Sequence, residues 1–205
     1  MQLNHTLTPT WSLDMSQLIL PVLLALSMVL TLPACQVAPS QKDASTFNDD
    51  TEHLVQSISS KNPKIADFVD NAYGYAIFPV VGEGGLLFAG GWGRGAVYED
   101  GSLVGYARVD EHSIGAVAGG EKWTLLIFFK NKGAFANFQA GKFAWDAKAN
   151  AVAGTDGTAI GTDYSNGVIL FRVDPTGVMG NASAGFSSYS YLSLADAHKE
   201  WKKDG

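Results

Sequence analysis

The chain has 205 residues, 46% hydrophobic and 17% charged, against about 25% charge in an average soluble domain. This excludes a disordered acidic tail, a charged coiled coil and a long solvated helix. The formal net charge of −6, from 14 Lys and Arg against 20 Asp and Glu, argues against nucleic acid as a partner, because phosphate binding needs a net basic face. A single Cys excludes an internal disulfide framework and a Cys-rich zinc site.

The N-terminal third contains no Gly, whereas all 23 glycines fall at or after Gly74. Leu18 to Leu32 is an apolar run without a charge, shorter than the roughly 20 residues of a membrane-spanning helix, and it reads as the core of a signal peptide. It ends in Leu32-Pro33-Ala34-Cys35, which resembles the lipobox of bacterial lipoproteins, with Cys35 as the lipidated residue. Such an acylated Cys would hold the protein on a membrane without a spanning helix. Gln36, in place of an Asp that would resemble an inner-membrane retention signal, points to the outer membrane of an envelope, facing the periplasm. The expected division is therefore a signal peptide over 1–34, the lipidated Cys and a flexible tether over 35–48, and one domain over 49–205.

Helical signals come first. Asp49 and Glu52 form a capping-box pattern ahead of Leu54, Val55 and Ile58, and Asn62-Pro63 opens a second helix with Ile65, Phe68, Val69 and Ala72 on one face. Beyond Gly74 the signals change to strands. Tyr75 to Val81 is broken by Pro79 and suits an edge or a strand end. Leu86 to Tyr98 is Gly-rich and must bend or bulge, and Glu99-Asp100-Gly101-Ser102 marks a hairpin. Trp123 to Phe129 reads as a fully buried strand. A short helix follows over Asn131 to Gln139, with Ala134, Phe135 and Phe138 inward. Alternation from Phe143 to Ala153 predicts a strand with one wet face, and Asp174-Pro175-Thr176-Gly177 a second hairpin. Ser193, Asp196 and Trp201 suggest a final helix. The expected class is α+β, mainly β: a curved antiparallel sheet, sandwich or partial barrel with one or two N-terminal helices and short helices packed on it.

The ordered series DNAYGYAIFPVV, GGLLFAGGWGRGAVYEDGSLVGYARV, SIGAVAGGEKWTLLIFFKNKGAFANF and ILFRVDPTGVMGNASAGF resembles the SYLF domain family over roughly Leu54 to Leu192. The resemblance implies an exported lipoprotein, as bacterial members often are, and association with phosphoinositide membranes and cortical actin, as in eukaryotic members. Bacterial members usually carry Lys just after the Phe-Pro pair. Here Phe78-Pro79 runs on to Val80, Val81, Gly82 and Glu83, with no basic residue before Arg94.

No catalytic centre stands out. Gly91 to Ala96 fits the loose G-x-G-x-x-A pattern, but strand and turn residues follow it where a phosphate-binding helix is required, so it reads as backbone bending. Asp110-Glu111-His112 reads as a solvated turn, and the histidines lack ligand spacing; no metal and no cofactor are expected. The distinctive local feature is basic: Lys122, Lys130, Lys132, Lys142 and Lys148 stand against Asp146 alone, interleaved with aromatics. Each Lys near an anionic bilayer contributes about 1 kcal/mol, and Lys130, Lys132 and Lys142 are the expected headgroup contacts. The interleaved aromatics, Trp123 to Trp145, are expected to fill the core instead. The expected function is non-enzymatic: a lipid-anchored envelope domain that binds lipid or anionic headgroups. A protein-interaction or scaffolding module of the envelope is the alternative.

Overall fold

The computed structural model describes residues 36–84, 88–114, 120–142, 144–146, 158–173 and 184–204. The chain divides into two compact units, Met1–Gln36 and Val37–Gly205, and every element below lies in the second. That unit holds its own hydrophobic core, the property that lets a domain fold alone.

Helix α1 (Gln41–Lys61) starts eight residues ahead of the capping pattern at Asp49. The expected flexible tether is thereby corrected: Ala38 and Pro39 are buried, the Trp201 indole donates to the Pro39 carbonyl at 2.9 Å, and α1 occupies the rest. The physical reason is a stripe of Ala44, Thr51, Val55 and Ile58 at helical spacing, all buried, with Phe47 packed beside them. Thr51 satisfies its hydroxyl on the Phe47 carbonyl four residues back. Helix α2 (Pro63–Asn71) forms as its sequence predicts: Asn62 caps it by accepting from the Ile65 amide at 3.3 Å, with Pro63 at the first position.

The strands are β1 (Gly74–Gly84), β2 (Phe88–Glu99), β3 (Ser102–Ile114), β4 (Gly120–Phe129), β5 (Ala144–Asp146), β6 (Thr158–Ser165), β7 (Val168–Val173) and β8 (Ala184–Ser193). Helix α3 (Lys132–Gln139) follows β4, and α4 (Leu194–Asp204) follows β8. The eight strands make one open sheet in the order β5-β8-β3-β2-β1-β4-β7-β6, and every pairing is antiparallel. The α+β class holds, with the sheet open rather than a sandwich or closed barrel.

Three connections differ from expectation. β1 is central, between β2 and β4, although it contains Pro79. The register slips between Ile77 and Val80 against β2 and between Phe78 and Val81 against β4. Pro79 therefore sits in a bulge, where the ladder needs no amide from it, and its carbonyl accepts from the buried Thr124 hydroxyl at 2.9 Å. The hairpin expected around Asp174–Gly177 does not form, since β7 lies between β4 and β6 while β8 lies between β3 and β5; residues 174–183 themselves lie outside the described residues. The hairpin at this part of the chain is β6–β7, turned by Asn166 and Gly167 at φ of 51° and 80°, the left-handed pair of a two-residue turn. The Asp100-Gly101 hairpin, at φ of 49° and 72°, is as expected. Of the strand expected over Phe143 to Ala153, only Ala144–Asp146 belongs to the described residues, paired with β8.

Helices cover both faces. On one, Val55, Ile58 and Ile65 of α1 and α2 pack on Tyr75, Ile77, Ala96, Leu126, Phe128, Ile169 and Phe171, with the Phe68 ring 5.2–5.4 Å from those of Phe128, Phe171 and Tyr164. Ala197 and Trp201 of α4 join that face through Tyr106, Val37 and Ala38. On the other, Ala134, Phe135 and Phe138 of α3 pack on Phe78, Val81, Val97, Val109, Leu125, Ile127 and Phe129. Residues 123–129 of β4 are thus buried on both sides, which accounts for an apolar run broken by Thr124 alone.

Glycine makes the second face possible. A Cβ at Gly95 would lie 2.6 Å from the Ile77 carbonyl oxygen and 2.7 Å from the Phe78 ring. Gly95→Ala is expected to destabilise the fold by about 1–3 kcal/mol in urea titration. Gly90→Ala, with nothing within 4 Å of the new carbon, should stay within about 0.5 kcal/mol of the parent. Equal effects at the two positions would contradict this packing.

Candidate functional site

The three expected headgroup lysines surround α3. Lys130 lies in the turn after β4, exposed, with its amide donating to the Gly167 carbonyl at 2.8 Å and its ammonium 5.7 Å from the Tyr164 ring centroid. Lys132 opens α3 just after its cap, Asn131, which accepts from the Ala134 amide at 3.0 Å. Lys142 follows the helix, its amide donating to Asn137 at 2.9 Å. All three are exposed. The fold brings Lys130 and Lys132 to one end of α3 and sets Lys142 at the other, about 12 Å away at 1.5 Å per helical residue. The aromatics between them are core: Trp123, Phe128, Phe129, Phe135 and Phe138 are all buried. Cys35, Phe143 and Lys148 lie outside the described residues.

Asp110 to His112 lies within β3, correcting the expected turn. Strand alternation separates Asp110 from Glu111, and the Asp110 carboxylate is engaged by Arg108, whose Nε and Nη2 donate to it at 2.9 and 2.6 Å. Among the described residues no group of three or more His, Cys, Asp or Glu is placed to hold a metal ion. None of the described helices is long and apolar enough to cross a membrane.

A second polar surface emerges from the sheet register. Gly91, Gly93 and Gly95 of β2 are buried, whereas Trp92 and Arg94 alternate with them and face the side that carries α1 and α4. Trp92 pairs with Asp110 and Arg94 with Arg108 on β3. On β1, Val80 pairs with Arg94 and Gly82 with Trp92, and Gly82 also pairs with Lys122 on β4. Ser188 and Ser190 of β8 complete the two rows. The helices stop short of this end of the sheet: Val80 is 55% and Trp92 56% exposed, the large exposed hydrophobics of the described residues, and Lys122, Ser188 and Ser190 are exposed.

The arrangement is a sheet face that the described helices leave partly open, with exposed Trp92, Val80 and Lys122 beside the partly buried Arg94, Arg108 and Asp110. The Arg108 guanidinium carbon lies 5.1 Å from the Trp92 ring centroid, so stacking and the Asp110 bond together hold it in place. Burial, then the Arg108 charge beside it, lowers the Arg94 guanidinium from its ordinary value, while Asp43 near the start of α1 opposes the shift. It remains a cation throughout the ordinary pH range. Sequence reading missed this surface by treating Gly91 to Ala96 as bending alone. The signal was present in Trp92 and Arg94, which alternate with three glycines at the strand period and must share a face.

No family model and no curated protein matches the chain.

The charge around Trp92 gives a direct test. Iodide should quench the exposed emission more strongly than caesium, because Arg94, Arg108 and Lys122 attract the anion, and Trp92→Phe should remove that difference. An unchanged iodide preference in Trp92→Phe would place the accessible indole elsewhere.

Proposed function

We propose that the chain is a non-enzymatic, lipid-anchored protein of a bacterial envelope, with a SYLF-like domain that binds anionic lipid headgroups, on the outer membrane facing the periplasm. The ordered SYLF-like series across most of the chain supports the family reading, and the α+β fold is compatible with it. The anchor reading rests on Cys35 at the end of an apolar run, two residues ahead of the packed segment Val37–Pro39. The observation that carries the headgroup reading is the set of exposed lysines in a chain of net charge −6: Lys130, Lys132 and Lys142 around α3, and Lys122 on the sheet face that also holds the partly buried Arg94 and Arg108. Lysines held by a rigid fold need not lose backbone freedom to meet a charged surface. The uncovered sheet face also favours the second reading, an envelope protein as the partner.

Two measurements test the proposal. The 36–205 chain should co-sediment with vesicles of phosphatidylcholine plus phosphatidylglycerol, and less so as salt is raised, while vesicles of phosphatidylcholine alone leave it in the supernatant. Equal, negligible sedimentation with both would defeat the headgroup reading, and co-purification of an envelope protein in its place would favour the interaction module. Cys35→Ser should shift the full chain from the membrane fraction to the soluble fraction, and unchanged fractionation would refute lipidation.

A further inference from the structure

The segment at the start of the domain lies on a particular face. Val37 and Ala38 pack with Tyr106, Ala197 and Trp201, and Pro39 is tied to Trp201 by the indole hydrogen bond. Tyr106 is two residues from Arg108 on the same face of β3, a separation of about 7 Å. The Asp43 carboxylate, at the start of α1, acts on the Arg94 charge. The packed N-terminal segment thus adjoins the two rows that carry Arg108, Arg94, Val80, Trp92 and Lys122. α3, between Lys132 and Lys142, packs against the opposite face of the sheet.

We propose that this uncovered sheet face, centred on Trp92 and Arg94, is the surface that lies against an anionic phospholipid bilayer. The proposal names the contact surface of the function proposed above and rests on that reading. Position 35 is two residues from Val37 in the sequence, a backbone reach of at most about 7 Å. No slack chain intervenes, because α1 and Val37–Pro39 occupy the stretch that would have served as tether. The bilayer is therefore brought to the sheet face and not to α3.

The chemistry of the face fits such a surface. Arg94 and Arg108 are register partners, and like charges directly opposite each other on a sheet repel. Arg108 is engaged by Asp110 and Trp92, so the partly exposed Arg94 and the exposed Lys122 are the cations this face offers to lipid phosphates. Lys122 lies across Gly82 from Trp92, in the row next to that of Arg94. Trp92 and Val80, both more than half exposed, supply an indole suited to headgroup depth and an aliphatic contact beside it. Asp110 is occupied by Arg108, so its charge does not stand alone before the phosphates.

The test compares variants of the 36–205 chain on phosphatidylcholine vesicles with and without phosphatidylglycerol. Trp92→Ala and Arg94→Glu should each lower partitioning onto the anionic vesicles about tenfold, with circular dichroism and melting close to the parent. Trp92 is exposed, so its replacement keeps the test valid even where Arg94→Glu disturbs folding. Parental binding by both variants, with loss on joint Lys130→Glu, Lys132→Glu and Lys142→Glu replacement, would overturn this surface and leave the headgroup function standing. Absence of binding by the parent chain to either vesicle would overturn both. A Trp92-dependent dimer in sedimentation, without vesicle binding, would assign the face to a second copy of the chain and overturn the bilayer proposal.

Discussion

The bulge at Pro79 in the central strand determines which side chains the molecule buries and which it presents. Before it, Ala76 and Phe78 point to the α3 face while Tyr75 and Ile77 point to the α1 and α2 face. After it, Val81 points to the α3 face, so the parity has been exchanged. In an unbroken strand Val80 would join Phe78 in the core and Val81 would be turned outward. The extra residue reverses both positions: Val81 is fully buried and Val80 more than half exposed. Thr124 secures the irregular backbone through the Pro79 carbonyl, which would otherwise lie beside a buried strand without a ladder partner. A proline that cannot donate and a threonine that can thus set up both the second core and the free row beside Arg94.

The glycines of β2 answer the same constraint from the neighbouring strand. Gly93 and Gly95 occupy the positions over which Val81 and Phe78 must lie, and a methyl group at either would meet them below 3 Å. Because the glycines take the inner side of β2, its bulky residues Trp92 and Arg94 must take the outer side. The stretch that mimics a phosphate-binding loop in sequence is a steric partner of the β1 bulge. Its outward residues are the ones that bear chemistry.

Legibility in the sequence followed how local each signal was. The Asn62-Pro63 start of α2, the buried run of β4, the Asp100-Gly101 turn and the inward faces of α3 are determined by a few adjacent residues, and each was readable. β1 was misplaced at an edge because the rule for proline in strands concerns hydrogen-bond demand, and a bulge removes that demand without changing composition. The start of α1 was hidden because its buried stripe uses Ala44 and Thr51, small residues that carry little hydropathy, and because its first turns are rich in Ser, Thr and Asp. The pairing of β7 and β8 with distant strands is a long-range property that no turn signal encodes. The Lys cluster was legible as a count of charges but not as a geometry, since α3 separates Lys142 from Lys130 and Lys132.

The helical α1 changes what an attached lipid would do. A domain on a flexible tether can turn any face to the membrane, and binding then selects the most basic one. A domain whose packed structure begins at Val37 has far fewer orientations, and most of the alignment is supplied before any headgroup is touched. Under that constraint a modest surface of a few cations and one indole would suffice, since little rotational freedom would remain to be lost on contact. The acidic balance of the chain as a whole then has a consistent role. On the proposed reading it would keep the remaining faces away from an anionic bilayer, while Lys122 and Arg94 would draw one face toward it.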